Sequence, residues 1–288
     1  MYSIDNYHPL RRLSSRLSYR LLHILRRLRL NCSILHLTFT VFIPNLIRKT
    51  WKIGDFKSFR YPWYHDFEAL GVSTPQDTIP TYRRNQELKS RILFPMIDKA
   101  ILLLNEDGVD RPKILEYFAA DSFFGLYALS RSPEDSELLA VDLGAHSGES
   151  QKRANVLSQG LLIAKCIGLS AHFKQIKKSV FEVNDRCALI LNIGGLYHIE
   201  QVEELIRMSS LNGARIMIIQ TVVHEDRNIR DFFESPAPNW TWGSRFSASW
   251  IRNLIMSFGW KILDEDFNIL DLNESPMDRG SIYFLCRR

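Results

Sequence analysis

Residues 113–142 constrain the fold of this chain more than any other stretch. They read as a buried strand at 114–118, a tight turn of small residues at 119–122, a short helix that begins at Phe123, and a second strand at 138–141 that ends on Asp142. This order is found in one half of a doubly wound sheet of the kind that binds nucleotides. We therefore expect an α/β fold organised around this unit.

The rest of the chain continues the alternation of strands and helices. Apolar residues make up 45% of the sequence and charged residues 24%, which is typical of a globular protein. The strands are apolar on both faces, which indicates a parallel sheet covered on both sides. The sequence predicts a doubly wound, seven-stranded, mostly parallel sheet, with further strands at 171–176, 188–193, 214–223, 260–263 and 281–286 and helices at 83–105, 149–167, around 202–206 and at 249–258.

The first 54 residues differ in charge from the rest. They carry ten Arg or Lys against one acid, Asp5, although the whole chain has a net charge of only +5, so the body is mildly acidic. Apolar residues recur at helical spacing over 10–30 with arginines between them, which predicts a basic amphipathic helix. Three interpretations of such an arm are open. It contacts an anionic membrane surface through 10–47, it docks on an acidic partner or on RNA phosphate, or it is an extension with no role in catalysis.

The compartment is predicted from two further features. Residues 30–47 are apolar but too often interrupted by polar residues and Pro44 for a membrane span. The four cysteines include no C-x-x-C pair, so they indicate neither a metal site nor a disulfide framework. We expect a cytoplasmic protein, with membrane association only through the arm.

Two segments are predicted to border a ligand. Residues 55–108 form an aromatic and helical cover on the main domain, 109–288, and Trp63 and His65 in it either pack against that domain or roof a pocket. Residues 224–246 have no periodicity and leave the end of strand 214–223, at the edge where ligands bind in open α/β sheets. They are predicted to be a lid without regular structure.

Four motifs in this order resemble the class I S-adenosylmethionine-dependent methyltransferases. They read L-E-Y-F-A-A-D-S-F-F-G, A-V-D-L, N-I-G-G-L-Y-H-I and I-I-Q-T-V-V. Within that class the chain, from about residue 61 to 286, looks most like the enzymes that build 5-oxyacetic acid on tRNA wobble uridines. The resemblance implies a Rossmann-like methyltransferase fold and S-adenosylmethionine as cofactor.

The resemblance also implies a set of cofactor-binding residues. Glu116 holds the acid of an acid-x-Gly-x-Gly-x-Gly motif, whereas Phe118, Ala120 and Ser122 stand where glycine is expected. The small residues are expected to keep the turn with negative φ, and Phe118 to point into the core or into part of the cofactor site. Other contacts implied are Asp121 with the cofactor's amino group, Asp142 with the ribose hydroxyls, and Gln175 or a backbone carbonyl with the adenine amine.

Methyl transfer is expected after strand 188–193. Asn192 and Gly194 would approach the cofactor, Tyr197 is the best single active-site candidate, and His198 is the nearest candidate base, with His65 and His224 behind it. The alternative is that His198 caps the next helix and Tyr197 packs on the lid. Substrate contacts are predicted for Trp63, His65, Trp240, Trp242, Arg245 and Arg279.

Three hypotheses about function follow. The first is a methyltransferase that acts on a small polar, glycan or lipid-linked acceptor. The second is alkylation of a tRNA wobble uridine, against which the acidic body argues. The third is a non-catalytic module in which Phe118 blocks the cofactor and the aromatic lid binds a partner.

Overall fold

A computed structural model describes residues 63–72, 74, 80–143, 150–225, 228–236, 242–270 and 279–288. The basic arm at 1–54, with its proposed helix and its membrane or RNA contacts, lies outside the described residues. Among the described residues, no helix combines the length and the apolar character needed to cross a bilayer.

The core of the molecule is the predicted seven-stranded sheet. Its strand order is β3-β2-β1-β4-β5-β9-β8, with parallel pairing from β3 to β5 and antiparallel pairing of β9 with both of its neighbours. A further antiparallel hairpin, β6 with β7, stands apart from this sheet. The strands are β1 (Lys113–Tyr117), β2 (Glu137–Asp142), β3 (Phe173–Lys177), β4 (Leu189–Ile193), β5 (Ile216–Val223), β6 (Phe232–Pro236), β7 (Trp242–Phe246), β8 (Lys261–Ile269) and β9 (Gly280–Arg287).

Helices cover both faces of the sheet, as the apolar strands predicted. Alternate strand residues point into two apolar clusters, so that Ile114 and Leu115 of β1 belong to opposite layers. One layer holds α1 (Pro80–Glu106), α2 (Phe123–Arg131) and α3 (Ser150–Cys166), and the other holds α4 (Val202–Leu211) and α5 (Ala248–Ser257).

The cover segment is part of the core. Trp63 and Phe67 are 1% and 0% exposed and pack in the layer that contains α1 and α2. The prediction that Trp63 contacts substrate is therefore wrong, because the side chain is buried among apolar residues. Three cysteines, Cys166, Cys187 and Cys286, are buried free thiols, as expected of small core residues.

The segment predicted to be an irregular lid contains the hairpin. Strands β6 and β7 pair from Phe232 opposite Phe246 to Pro236 opposite Trp242, so most of its described part is regular. Residues 226–227 and 237–241, including Trp240, lie outside the described residues, as does the side chain of Trp242. The expectation of an irregular segment is corrected to a two-stranded hairpin, and its role as a lid stays a prediction.

Candidate active site

The candidate site lies where the carboxyl ends of β1, β2 and β4 meet. In the observed order, β1 is followed by β2 on one side and β4 on the other, so the chain reverses its direction of winding between β1 and β4. Open α/β sheets bind ligands in the crevice at such a switch point. Asp142, Asn192 and Gly194 lie at or directly after these strand ends.

The loop after β1, residues 118–122 and here called the first loop, has an unusual backbone. Phe118, Ala120 and Ser122 have φ of 55°, 47° and 57°, and they are the only non-glycine residues with positive φ in the described part of the chain. The expectation of negative φ is wrong. The left-handed conformation costs a residue with a Cβ atom roughly 1–2 kcal/mol, so this loop keeps, under strain, a backbone that glycine adopts freely.

Hydrogen bonds from two neighbouring strands hold the first loop. The Ala119 amide donates to the Val141 carbonyl (3.1 Å) and the Ala120 amide donates to Asp142 Oδ2 (3.0 Å). Gln175 Nε2 donates to the Ala120 carbonyl (3.2 Å), while Gln175 Oε1 is buried and has no partner among the described residues. Asp142 and Gln175 therefore border the loop, and Gln175 leaves an acceptor for a ligand.

Asp121 faces the cover segment. Both of its carboxylate oxygens lie 2.9 Å from His65 Nδ1, and the residue has no solvent exposure. His65 Nε2 lies 3.0 Å from Gln86 Oε1 on α1, and the imidazole stacks on Phe123 with ring centres 4.6 Å apart. Each side chain is thus engaged by the other, and the roles of Asp121 at the cofactor and of His65 at the substrate stay predictions.

Glu116 also has a structural partner. Its Oε1 accepts a hydrogen bond from the Gly125 amide at the start of α2 (2.9 Å), and a Cβ atom on Gly125 would overlap the carboxylate. Burial raises the pKa of Glu116 to about 8, against the opposing effect of the Gly125 hydrogen bond. Glu116 thus joins β1 to α2 through one oxygen, while its Oε2 is buried without a partner among the described residues, and its contact with the cofactor stays a prediction.

Phe118 connects the first loop to the segment after β4. Its half-buried ring lies so close to Gly195 that a Cβ atom there would overlap the ring. The ring packs with the apolar layer that contains Leu115 and Tyr117. The Phe118 side chain thus joins the core, and its place in part of the cofactor site stays a prediction.

Polar side chains from two further elements converge on Gly194. A Cβ atom on this residue would lie 3.6 Å from Gln220 Oε1 on β5 and 3.7 Å from Lys89 Nζ on α1. Gly194 has φ of 75°, which permits its amide to donate to the Gln220 carbonyl (2.9 Å). Neither Lys89 nor Gln220 was singled out from the sequence, because α1 precedes β4 by about a hundred residues and only packing brings Lys89 to this place.

This cluster has unused hydrogen-bonding capacity. Gln220 Oε1 and both side-chain atoms of Asn192 are buried and have no partner among the described residues. Lys89 forms no ion pair with any residue that the structure describes. Burial lowers the pKa of the Lys89 ammonium to about 8, so near neutral pH it can hold an anionic group, and above pH 8 it can accept a proton. Unpaired buried polar groups of this kind mark a place where a ligand can bind.

Tyr197 and His198 form a short 3-10 turn, Leu196–His198, beside the same crevice. Their rings are half-buried with centres 3.9 Å apart. Arg245 on β7 is 2% exposed and donates to the Ser244 carbonyl (2.9 Å) and the Tyr197 carbonyl (3.4 Å). Arg245 thereby joins the hairpin to the 3-10 turn that contains Tyr197, and its contact with a substrate stays a prediction.

Two other predicted residues lie further along the edge. Arg279 immediately precedes β9, whose first residue, Gly280, pairs with Val223 at the carboxyl end of β5, so Arg279 belongs to the expected edge. His224, directly after β5, is 2% exposed, and its Nε2 lies 3.1 Å from the Arg230 carbonyl. His224 is thus enclosed at the base of the hairpin segment.

Solved structures share this fold. The magnesium protoporphyrin IX methyltransferase ChlM from Synechocystis PCC 6803, with bound SAH, is 8% identical with a TM-score of 0.50, covering 74% of this chain and 90% of that chain. The [4+2]-cyclase SpnF is 11% identical with a TM-score of 0.50, and the match covers 79% of this chain and 86% of SpnF.

More distant in shape is a candidate O-methyltransferase from Nostoc punctiforme PCC 73102. The match is 18% identical with a TM-score of 0.44 and covers 70% of this chain. This chain spans 58% of the length of the Nostoc protein. No protein-family model and no curated protein sequence matches. At 8–11% identity, ChlM and SpnF show that the chain has a Rossmann-like, methyltransferase-type fold. They lend no support to the narrower likeness to tRNA wobble-uridine enzymes.

Proposed function

We propose that this protein binds S-adenosylmethionine at the carboxyl edge of β1, β2 and β4 and transfers its methyl group to a small polar, glycan or lipid-linked acceptor. The observation that carries the proposal is the first loop. Its three positive φ angles fall on the three positions at which the resembled family has glycine. Strained residues of this kind persist where the surroundings enforce them, and they cluster at functional sites.

The residues at the edge suit the parts of this cofactor. The carboxylate of Asp142, at the end of β2, can accept hydrogen bonds from a ribose. Gln175 Oε1, buried and without a partner among the described residues, can accept one from the adenine amine. Asn192, near the carboxyl end of β4, offers both a donor and an acceptor to the polar end of the cofactor.

The bound cofactor would supply an electrophilic methyl group on a sulfonium. The protein's task is to align the acceptor with that carbon, to exclude water and, for a hydroxyl or amine, to remove a proton. Tyr197 and His198 border the crevice on one side, and Lys89 lies over Gly194 on another. We propose Tyr197 as an acceptor contact and His198 or Lys89 as the group that takes the proton.

Calorimetric titration with S-adenosylhomocysteine tests the binding step. Asp142→Ala removes the ribose acceptor and the bond to the Ala120 amide, whereas Asp142→Asn keeps an oxygen for that amide and loses the charge. We expect one-to-one binding by the wild type, weakened about 10- to 100-fold in Asp142→Ala, as loss of a hydrogen bond to a charged group implies. Asp185→Ala, an exposed acid, is the control. No binding by the wild type contradicts the proposal, and equal affinity in all variants contradicts the role of Asp142.

A second candidate function is binding of the cofactor without methyl transfer. Phe118 favours it, because the ring packs on Gly195 and narrows the crevice. A fold of this type does not by itself fix methyl transfer, and one structure that shares it is a [4+2] cyclase. Production of S-adenosylhomocysteine from S-adenosylmethionine in the presence of candidate acceptors separates the two functions, because a binding module releases none.

The alternative of tRNA wobble-uridine alkylation rests on the sequence motifs and on Arg279 at the edge of the sheet. Adding unmodified tRNA to the same turnover assay tests it. Formation of S-adenosylhomocysteine with tRNA, and not with small polar acceptors, would replace our choice of acceptor class.

A further inference from the structure

His65 makes the main side-chain contact between the cover segment and the first loop. It is 6% exposed, its Nδ1 lies 2.9 Å from both oxygens of Asp121, and its ring stacks on Phe123. Gln86 on α1 meets the other imidazole nitrogen at 3.0 Å, which fixes the ring from behind. Asp121 lies between Ala120 and Ser122, two of the three residues with positive φ.

The loop is held from its other sides as well. A Cβ atom on Gly160 of α3 would lie 2.5 Å from the Asp121 carbonyl, so this helix packs directly on the loop backbone. Gln175 bonds the Ala120 carbonyl, and Asp142 bonds the Ala120 amide. A strained backbone persists only when its surroundings over-determine it. Gln175 and Asp142 hold the loop backbone, and His65 adds a restraint on the Asp121 side chain.

We propose that His65 is a positioning residue that keeps the first loop in its left-handed conformation through Asp121, so that docking of the cover segment sets the affinity of the site for its cofactor. This inference rests on the proposed function. It assigns a role at the cofactor site to His65, which belongs to the cover segment that precedes the sheet in the chain. Without His65, the loop relaxes toward negative φ, and the Ala120 amide leaves Asp142.

The test compares two substitutions in the full chain. His65→Ala removes both contacts, while His65→Asn keeps a donor close to the position of Nδ1. We expect His65→Ala to weaken S-adenosylhomocysteine binding about tenfold, the loss that corresponds to relaxation of one left-handed residue, and His65→Asn to retain most of the affinity. His172→Ala, a half-exposed histidine before β3, is the matched control and should bind as the wild type does.

Glycine rescue separates positioning from a merely structural role. Ala120→Gly with Ser122→Gly removes the strain that His65 is proposed to oppose. In the His65→Ala background these glycines should restore affinity to within about threefold of the wild type. The same two glycines in the wild-type background are the control, because they should also raise overall stability. Positioning by His65 predicts that they change affinity little where His65 already holds the loop and restore it only in His65→Ala.

Hydrogen exchange of the ligand-free protein gives a readout that needs no cofactor. His65→Ala should speed exchange of the Ala119, Ala120 and Ser122 amides at least tenfold, without a matching change in the β4 and β5 amides. If the wild type does not bind S-adenosylhomocysteine, the proposed function is wrong. The exchange rates then still test whether His65 holds the first loop in its left-handed conformation. Unchanged exchange in His65→Ala, or weakened binding without glycine rescue, would overturn the inference.

Discussion

Ala120 shows what a single residue contributes to the first loop. It has φ of 47°, its amide bonds Asp142, and its carbonyl accepts from Gln175. Because glycine adopts positive φ without strain, Ala120→Gly should raise the free energy of unfolding by about 1 kcal/mol. Ala171→Gly, at an exposed turn with no positive φ, should lower it. Urea unfolding of both variants checks the signs, and destabilisation by Ala120→Gly would count against strain in the loop.

Glu116 predicts a pH dependence at the residue scale. Its pKa is about 8 in the folded protein and 4.5 in the unfolded reference, so between these values the folded state binds more protons and stability falls as pH rises. Glu116→Gln removes this titration. It should become more stable than the wild type by on the order of 2–4 kcal/mol at pH 8, with little difference at pH 4.5.

Denaturant unfolding of wild type and Glu116→Gln at pH 4.5, 6 and 8 measures that difference. Glu134→Gln, an exposed acid, is the control and should follow the wild type throughout. A stability difference for Glu116→Gln that stays constant over this range would mean that Glu116 is ionised in the folded protein.

At the scale of elements, the β6–β7 hairpin is a support for the Tyr197 turn. Ser244 Oγ donates to the Ile199 carbonyl (2.6 Å), and a Cβ atom on Gly243 would collide with the Tyr197 carbonyl oxygen. Gly243→Ala should push the hairpin away and speed hydrogen exchange of the His198 and Ile199 amides several-fold, since both are bonded within the turn. Exchange in α2, on the opposite layer, should be unchanged. Equal protection of the turn in both proteins would show that the hairpin does not support it.

The strands were predicted well where they are buried, and poorly at the edges. β1, β4 and β9 lie within one residue of the predicted bounds, because apolar runs in a covered sheet are unambiguous. β8 was expected at 260–263 but extends to Ile269, since its second half, D-E-D-F-N, is a largely exposed edge strand that alternation cannot reveal. The hairpin was missed because Pro236 and the lack of alternation disguise β6.

The site could be predicted in part. Asp142, Asn192, Gly194 and Tyr197 lie at the expected edge, because the carboxyl ends of parallel strands converge there. The contacts made by His65 and the approach of Lys89 depend on how the cover segment and α1 pack, and no local pattern encodes that. The left-handed first loop was missed because alanine, serine and phenylalanine normally avoid positive φ.

At the scale of the whole molecule, the arm should contribute little to folding and cofactor binding, whereas the cover segment should be needed for folding. Trp63, His65, Phe67 and α1 belong to the core or to the loop contacts, whereas the sequence predicts a separate basic arm at 1–54. Removal of residues 1–54 should leave the melting temperature and S-adenosylhomocysteine affinity nearly unchanged and abolish any binding to anionic liposomes or RNA. Removal of residues 1–79 should prevent folding. Circular dichroism and liposome co-sedimentation check both, and loss of folding in the shorter truncation would move the domain boundary.

The most direct test of the central claim is a crystal structure of the protein with S-adenosylhomocysteine. We predict a ribose bonded to Asp142, an adenine amine facing Gln175 Oε1, and positive φ at Phe118, Ala120 and Ser122. Density for the ligand at another place, or a first loop with negative φ at these residues, would contradict the assignment of this edge as the cofactor site.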